Sequence, residues 1–147
     1  MKVIVQRSKN ANVKVDGKLI NEIDNGLVLL VGFTHDDTIS DIDYMVKKIA
    51  HLRIFDDENG IMNKSVLDVS GEILSISQFT LYADTKKGNR PSYINALGGE
   101  EAIKLYELFN EKLNSFVLVK PGIFGADMQV SLINDGPVTI AIDSKSR

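Results

Sequence analysis

Ser77-Gln78-Phe79-Thr80 sets three hydrogen-bonding side chains into four consecutive positions of an otherwise apolar run. Buried hydroxyls and amides cost free energy unless they are paired, so this tetrapeptide needs either internal partners or a ligand. Ser77 and Thr80 lack a histidine or lysine base that the sequence would place beside them, so a nucleophile-and-base triad has weak support. Backbone groups could satisfy the same hydroxyls, and both readings stay open at this point.

A second candidate is Asn134-Asp135-Gly136-Pro137-Val138-Thr139. Asp-Gly between two alternating apolar runs predicts a hairpin turn, but Pro137 removes a backbone donor where the returning strand should begin. Lys86-Lys87-Gly88-Asn89-Arg90 is a third, a positive loop in a chain of net charge −3 that suits either solvent or phosphate. His35 and His51 stand far apart and no cysteine occurs, so a metal ligand set, a disulfide framework and a cysteine nucleophile have no support. The Asp56-Asp57-Glu58-Asn59-Gly60 cluster lacks the ligand spacing of a calcium loop and reads as a solvated turn.

These candidates need a scaffold, and 147 residues are enough to bury a core without staples. No linker, charge block, low-complexity stretch or repeat divides the chain, which predicts one domain over 1–147. Lys2 to Arg7, Asn12 to Val15 and Lys18 to Asn21 read as strands around an Asp16-Gly17 turn, and Leu27 to Phe33 as a strand buried on both faces. From Thr38 the period changes to three and four through Ile39, Ile42, Val46, Ile49 and Arg53, an amphipathic helix with Lys47 and Lys48 placed late as the helix dipole prefers. Ile54-Phe55 leads out toward a strand. Glu72 to Asp84 reads as one long strand, Gly99 to Asn114 as a second helix, and Phe116 to Val119, Met128 to Ile133 and Val138 to Ile142 as further strands, with a turn at Pro121-Gly122. The expected class is α+β: two main helices and a mixed or largely antiparallel sheet, curled toward a barrel.

The opening Met1 to Val5 is too short for a signal core or a membrane span, and with no cysteine the cytoplasm is the expected compartment. A pI near 5.4 argues against a broad nucleic-acid-coating face, though not against gripping one end of an RNA.

Val5-Gln6-Arg7, Asp56 to Asn63, Ser77 to Asp84, Lys87 to Ser92, Phe124 to Val130 and Asn134 to Thr139 together resemble the D-aminoacyl-tRNA deacylase family, in order and from residue 1 to about 143. Departures are Ser8 after the opening Gln-Arg, and Tyr93-Ile94-Asn95 with Gly98-Gly99 before the second helix. The resemblance implies a homodimer, without cofactor, that hydrolyses the ester joining a D-amino acid, or mischarged glycine, to the terminal adenosine of tRNA. It implies a cross-subunit site in which a cis Gly136-Pro137 turn from one subunit enters the pocket of the other and rejects L side chains. Ser77, Gln78, Phe79 and Thr80 would line the aminoacyl-adenosine end, Phe124 and Met128 the pocket wall, and Arg7 would support the turn. Lys86, Lys87 and Arg90 are expected to touch tRNA phosphates. A tRNA-end binding module without hydrolysis, and a structural dimer, are the competing classes.

Overall fold

A computed structural model describes residues 1–147. The chain runs β1 (Lys2–Val15), β2 (Lys18–Gly32), α1 (Ile39–His51), β3 (Phe55–Asp56), β4 (Met62–Lys64), β5 (Glu72–Ser77), a 3₁₀ turn (Phe79–Tyr82), α2 (Gly99–Asn114), β6 (Val119–Pro121) and β7 (Gln129–Asp143). Five strands form one sheet in the order β6-β5-β2-β1-β7, and β3 pairs with β4 apart from it. β1 is antiparallel to both β2 and β7, whereas β2-β5 and β5-β6 are parallel, so the sheet is mixed. It is not a closed barrel: β6 and β7 remain edges.

Both helices pack on one face of this sheet. The α1 stripe Ile42, Met45, Val46 and Ile49 and the α2 stripe Ala102, Tyr106, Phe109 and Leu113 are buried, as their spacing predicts. They meet Val3, Val5, Leu27, Leu29, Val31 and Ile73 in the main core. Full burial of each large aliphatic side chain there is worth about 1.5–3 kcal/mol.

Asp41, on the first turn of α1, accepts the Thr38 backbone N–H at 2.9 Å, the Ser144 hydroxyl at 2.7 Å and the Lys145 ammonium at 3.0 Å. Ser144 also accepts from the Met1 amino group at 3.0 Å, and that amino group pairs with Asp37. This cluster ties the start of β1 and the end of β7 to the helix. Burial alone would push the Asp41 carboxyl up, but these donors outweigh it and hold it well below the usual carboxylate range.

A second, smaller core lies on the sheet's opposite face: Ala11, Val13, Ile23, Val28, Leu74 and Ile76, with Met128, Val130 and Leu132 against them. On β1 the odd-numbered Val3 and Val5 face the helices, yet the odd-numbered Ala11 and Val13 face this second core. On β7 the even-numbered Val130 and Leu132 face the second core, and the even-numbered Val138, Ile140 and Ile142 the first. An unbroken strand keeps one parity on one face, so each strand must be interrupted between its halves. The interruptions lie side by side: Asn10 at φ 48° on β1, Gly26 at φ 154° on β2, and the register shift between Asn134 and Thr139 on β7. A Cβ on Gly26 would come within 1.8 Å of the Glu72 carbonyl, so only glycine permits β5 to approach there. The result is a crease across three strands, which gives the sheet its curl.

Four strand expectations are corrected. The opening segments are two strands rather than three or four, since β1 spans Lys2–Val15 and β2 Lys18–Gly32. Glu72 to Asp84 is not one strand: β5 stops at Ser77 because β2 ends at Gly32 and β6 at Pro121, leaving no neighbour to pair further backbone. The chain turns instead, with Leu81 N–H bonded to Gln78 O and Ala83 N–H to Thr80 O. Asn134 to Thr139 is not a hairpin: β7 is continuous, and both its halves pair with β1. The last short strand is Val119–Pro121 rather than Phe116 to Val119, and Pro121 is tolerated because β6 is an edge.

Candidate active site

Where β5 gives way to the 3₁₀ turn, the sheet opens into a cleft of about 570 Å³. Val31 and Gly32 at the end of β2, Phe33 just beyond it, Ile76 to Phe79, the start of α2 and the segment Phe124 to Met128 form its walls. Gly32 permits the geometry, since a Cβ there would come within 2.9 Å of the Gln78 carbonyl and 3.1 Å of Leu81 Cβ. The Gln78 N–H still reaches the Val31 carbonyl at 2.7 Å, so the tetrapeptide is held until its turn begins.

Ser77, Gln78, Phe79, Phe124 and Met128 all line this cleft, brought together from β5, its following turn and the loop before β7. Ser77 and Gln78 are half-buried, while Phe79 is exposed and packs edge-on against Tyr93 with ring centroids 5.0 Å apart. Thr80 is not among the lining residues; its hydroxyl accepts from the Gln78 side-chain amide, and no histidine or lysine contacts it. Asp127 and Tyr93 are the titratable groups of the lining, so the cleft carries no cation. Its chemistry is therefore apolar contact plus backbone polarity, together with the first N–H groups of the 79–82 turn, which have no acceptor within that turn.

Two residues outside the sequence candidates fix the cleft from behind. The Tyr106 hydroxyl bonds the Ser75 carbonyl, the Tyr106 ring lies 5.7 Å from that of Phe124, and Asn110 accepts from the Ser75 hydroxyl at 2.7 Å. In the sequence Tyr106 is legible only as part of a helix stripe. Burial raises its phenol pKa, so it remains a neutral donor.

Gly136 and Pro137 do not line their own chain's cleft; they sit exposed in the middle of β7, and the bond between them is cis. Arg7 is buried beneath them, its guanidinium donating to the Ile54 carbonyl at 2.8 Å and the Asp135 carbonyl at 3.2 Å, with the Asp56 and Asp135 carboxylates each at 3.3 Å. Asn134 closes the neck of the segment by donating to both the Arg7 carbonyl at 3.1 Å and the Val138 carbonyl at 3.0 Å. Thr139 in turn donates to Asn134 at 3.1 Å. An Asn and a Thr flanking Asp-Gly-Pro-Val are the sequence signal for this clamp, visible only once β1 is known to run alongside.

Lys86, Lys87 and Arg90 lie outside the cleft on an exposed loop whose neck is pinched by paired backbone bonds between Asp84 and Ser92, at 2.8 and 2.9 Å. Beyond it, the Leu97 N–H bonds the Phe33 carbonyl at 3.0 Å and the Thr34 hydroxyl bonds the Asn95 carbonyl at 2.6 Å. The loop's base is fixed beside the cleft and its charged tip is free.

The family described as D-Tyr-tRNA(Tyr) deacylase matches residues 4–143. The chain belongs to that family. It is accordingly a hydrolase, a D-aminoacyl-tRNA deacylase. Among solved structures, a c-Myc DNA Unwinding Element Binding Protein is 44% identical with a TM-score of 0.93, over 97% of this chain and 98% of that one. A structure described as a probable eukaryotic D-amino acid tRNA deacylase shares the fold at 16% identity, with a TM-score of 0.83 over 96% and 97% of the two chains. No helix of this deacylase is long and apolar enough to cross a membrane.

Proposed function

We propose that this deacylase releases D-amino acids, and glycine, from tRNA while leaving L-aminoacyl-tRNA intact, and that it works in the cytoplasm as a homodimer. In this reading the aminoacyl-adenosine end enters the cleft along Ser77, Gln78, Phe79 and Thr80, between the walls made by Phe124 and Met128. The Gly136-Pro137 segment of the partner subunit completes the pocket, so that a rigid backbone excludes an L side chain. Water attacks the ester carbonyl, the bond to the ribose oxygen breaks, and that oxygen takes up a proton as the free amino acid and tRNA leave. Backbone N–H groups and the substrate's own 2′-hydroxyl position the water, and no cofactor takes part. Lys86, Lys87 and Arg90 meet phosphates near the acceptor end.

The observation carrying this reading is the pairing of a largely apolar cleft without a cation, where no histidine or lysine contacts Thr80, with a separately clamped and exposed Gly136-Pro137 segment outside that cleft. An isologous dimer would bring each such segment to the other chain's cleft. The test is deacylation by the purified protein of D-Tyr-tRNA, L-Tyr-tRNA and Gly-tRNA. Hydrolysis of the first and third alone is expected; equal rates on the two enantiomers would refute the reading.

A further inference from the structure

At the far end of α1, Lys47, Lys48, His51 and Arg53, with Tyr44 and Leu52, line a shallow cleft of about 400 Å³. All four basic side chains are exposed. The cations that border them are neutralised: Lys112 pairs with Asp43 at 2.8 Å and Lys64 with Glu58 at 3.7 Å. Lys47, Lys48, His51 and Arg53 make no ion pair, although the Lys48 ammonium lies over the Tyr44 ring at 5.7 Å and the Asp68 carboxylate is near enough to Arg53 to feel its charge. An acidic protein thus gathers basic side chains around one concavity. Two of them are held in place by backbone: Arg53 Nε donates to the Asn63 carbonyl at 2.9 Å, and His51 Nδ1 sits 2.9 Å from the Lys47 carbonyl. The helix dipole favours basic residues toward this end of α1, with Lys48 and His51 in its last turn.

We propose that this cleft binds phosphates of duplex RNA, namely the acceptor stem of the tRNA whose 3′ end occupies the substrate cleft; the identity of the RNA rests on the function proposed above. A nucleic acid draws much of its affinity from cations meeting phosphates, and the substrate cleft offers none. Phe33 bounds that cleft and leads into α1, whose 13 residues carry the chain away by about 20 Å. A single-stranded end of a few nucleotides spans a distance of that order, which sets the first base pairs of the stem at the basic cleft. Recognition there is of backbone charge, so it is independent of sequence.

The test uses an unacylated RNA hairpin that copies an acceptor stem with its CCA end, followed by fluorescence anisotropy over a salt series. Lys47→Gln/Lys48→Gln should lower affinity about tenfold at low salt and make the log–log salt slope shallower by about two, one for each phosphate no longer neutralised. Arg53→Gln should do the same by about one. Hydrolysis of the D-tyrosyl ester of a CCA trinucleotide, which lacks a stem, should not change. An unaltered salt slope, an equal loss on the trinucleotide, or tighter and equally variant-sensitive binding of the matching DNA duplex would overturn the proposal. A wild-type protein that binds the hairpin with a variant-sensitive slope yet does not hydrolyse the trinucleotide ester would uphold the RNA site and reject the substrate reading proposed above.

Discussion

The Tyr106 hydroxyl donates a 2.7 Å hydrogen bond to the Ser75 carbonyl, the same oxygen that accepts the Gly122 N–H at 2.9 Å. One carbonyl thus joins α2, β5 and the loop that carries Phe124 and Met128. The polar end of β5 begins two residues later, so the cleft's floor and its wall share one anchor.

Tyr106→Phe keeps the ring against Phe124 and deletes only that bond. A stability loss of about 1 kcal/mol is expected, with a several-fold rise in KM for D-aminoacyl-tRNA and a smaller change in kcat. Urea unfolding and steady-state kinetics measure both. Reduced stability with an unmoved KM would separate Tyr106 from the cleft.

Arg7→Met should cost roughly 2–4 kcal/mol, because it leaves the Ile54 and Asp135 carbonyls without their charged donor. Arg7→Lys should not restore the stability, since a single ammonium cannot span two carbonyls and two carboxylates as the guanidinium fork does. Chemical denaturation of the three proteins decides this.

Asn134→Ala opens the neck of the Gly136-Pro137 segment without touching the cleft. The expected result is a D-to-L rate ratio lower by about tenfold, since a pocket loosened by about 1 Å no longer excludes the wrong enantiomer. The rate on D-Tyr-tRNA should stay within a few-fold of the parent. An unchanged ratio would mean that the clamp serves folding alone.

Thr80→Ala should retain measurable deacylation, because the hydroxyl is engaged by Gln78 and no base contacts it. Mass spectrometry of the enzyme trapped during turnover should show no acyl group on Thr80. An acyl ester at that position would reinstate it as the nucleophile.

Asp41 sets the acid limit of the fold. Its carboxyl is depressed in the folded state, so the stability it contributes is present above its unfolded pKa of about 3.9 and is lost as pH falls through the lower folded value. Asp41→Asn should therefore be less stable than the parent at neutral pH and converge with it in strong acid. Parallel stability curves from pH 7 downward would contradict this assignment.

The helices were legible in the sequence because the α1 and α2 stripes face a single core, which makes period and burial the same signal. The alternation of β5 continues to Tyr82 while its neighbours do not, and pairing partners are not written in the local pattern. Asp135-Gly136-Pro137 carries the chemistry of a hairpin, yet β1 borders both flanks and pulls them into one strand. Ser77, Gln78, Phe79, Phe124 and Met128 line one cleft; polar side chains in an apolar run draw attention to Ser77 and Gln78, whereas Phe124 and Met128 are legible only through the family resemblance. The partners of Tyr106, Asn110 and Asn134 are not legible, because each acts on a group distant in sequence that no spacing rule reveals.

The crease across β1, β2 and β7 divides one strand between two packings. Val5 and Val13 belong to the same strand but sit about 26 Å apart along it and share no core. Their free energies should accordingly be additive: truncating both to alanine should cost the sum of the single effects to within about 0.5 kcal/mol. Two substitutions on one side, such as Val5 with Leu29, should depart from additivity. The layer that supports the helices and the layer beneath Met128 can therefore vary independently, which leaves one wall of the cleft free to change shape while the frame behind Tyr106 stays as it is.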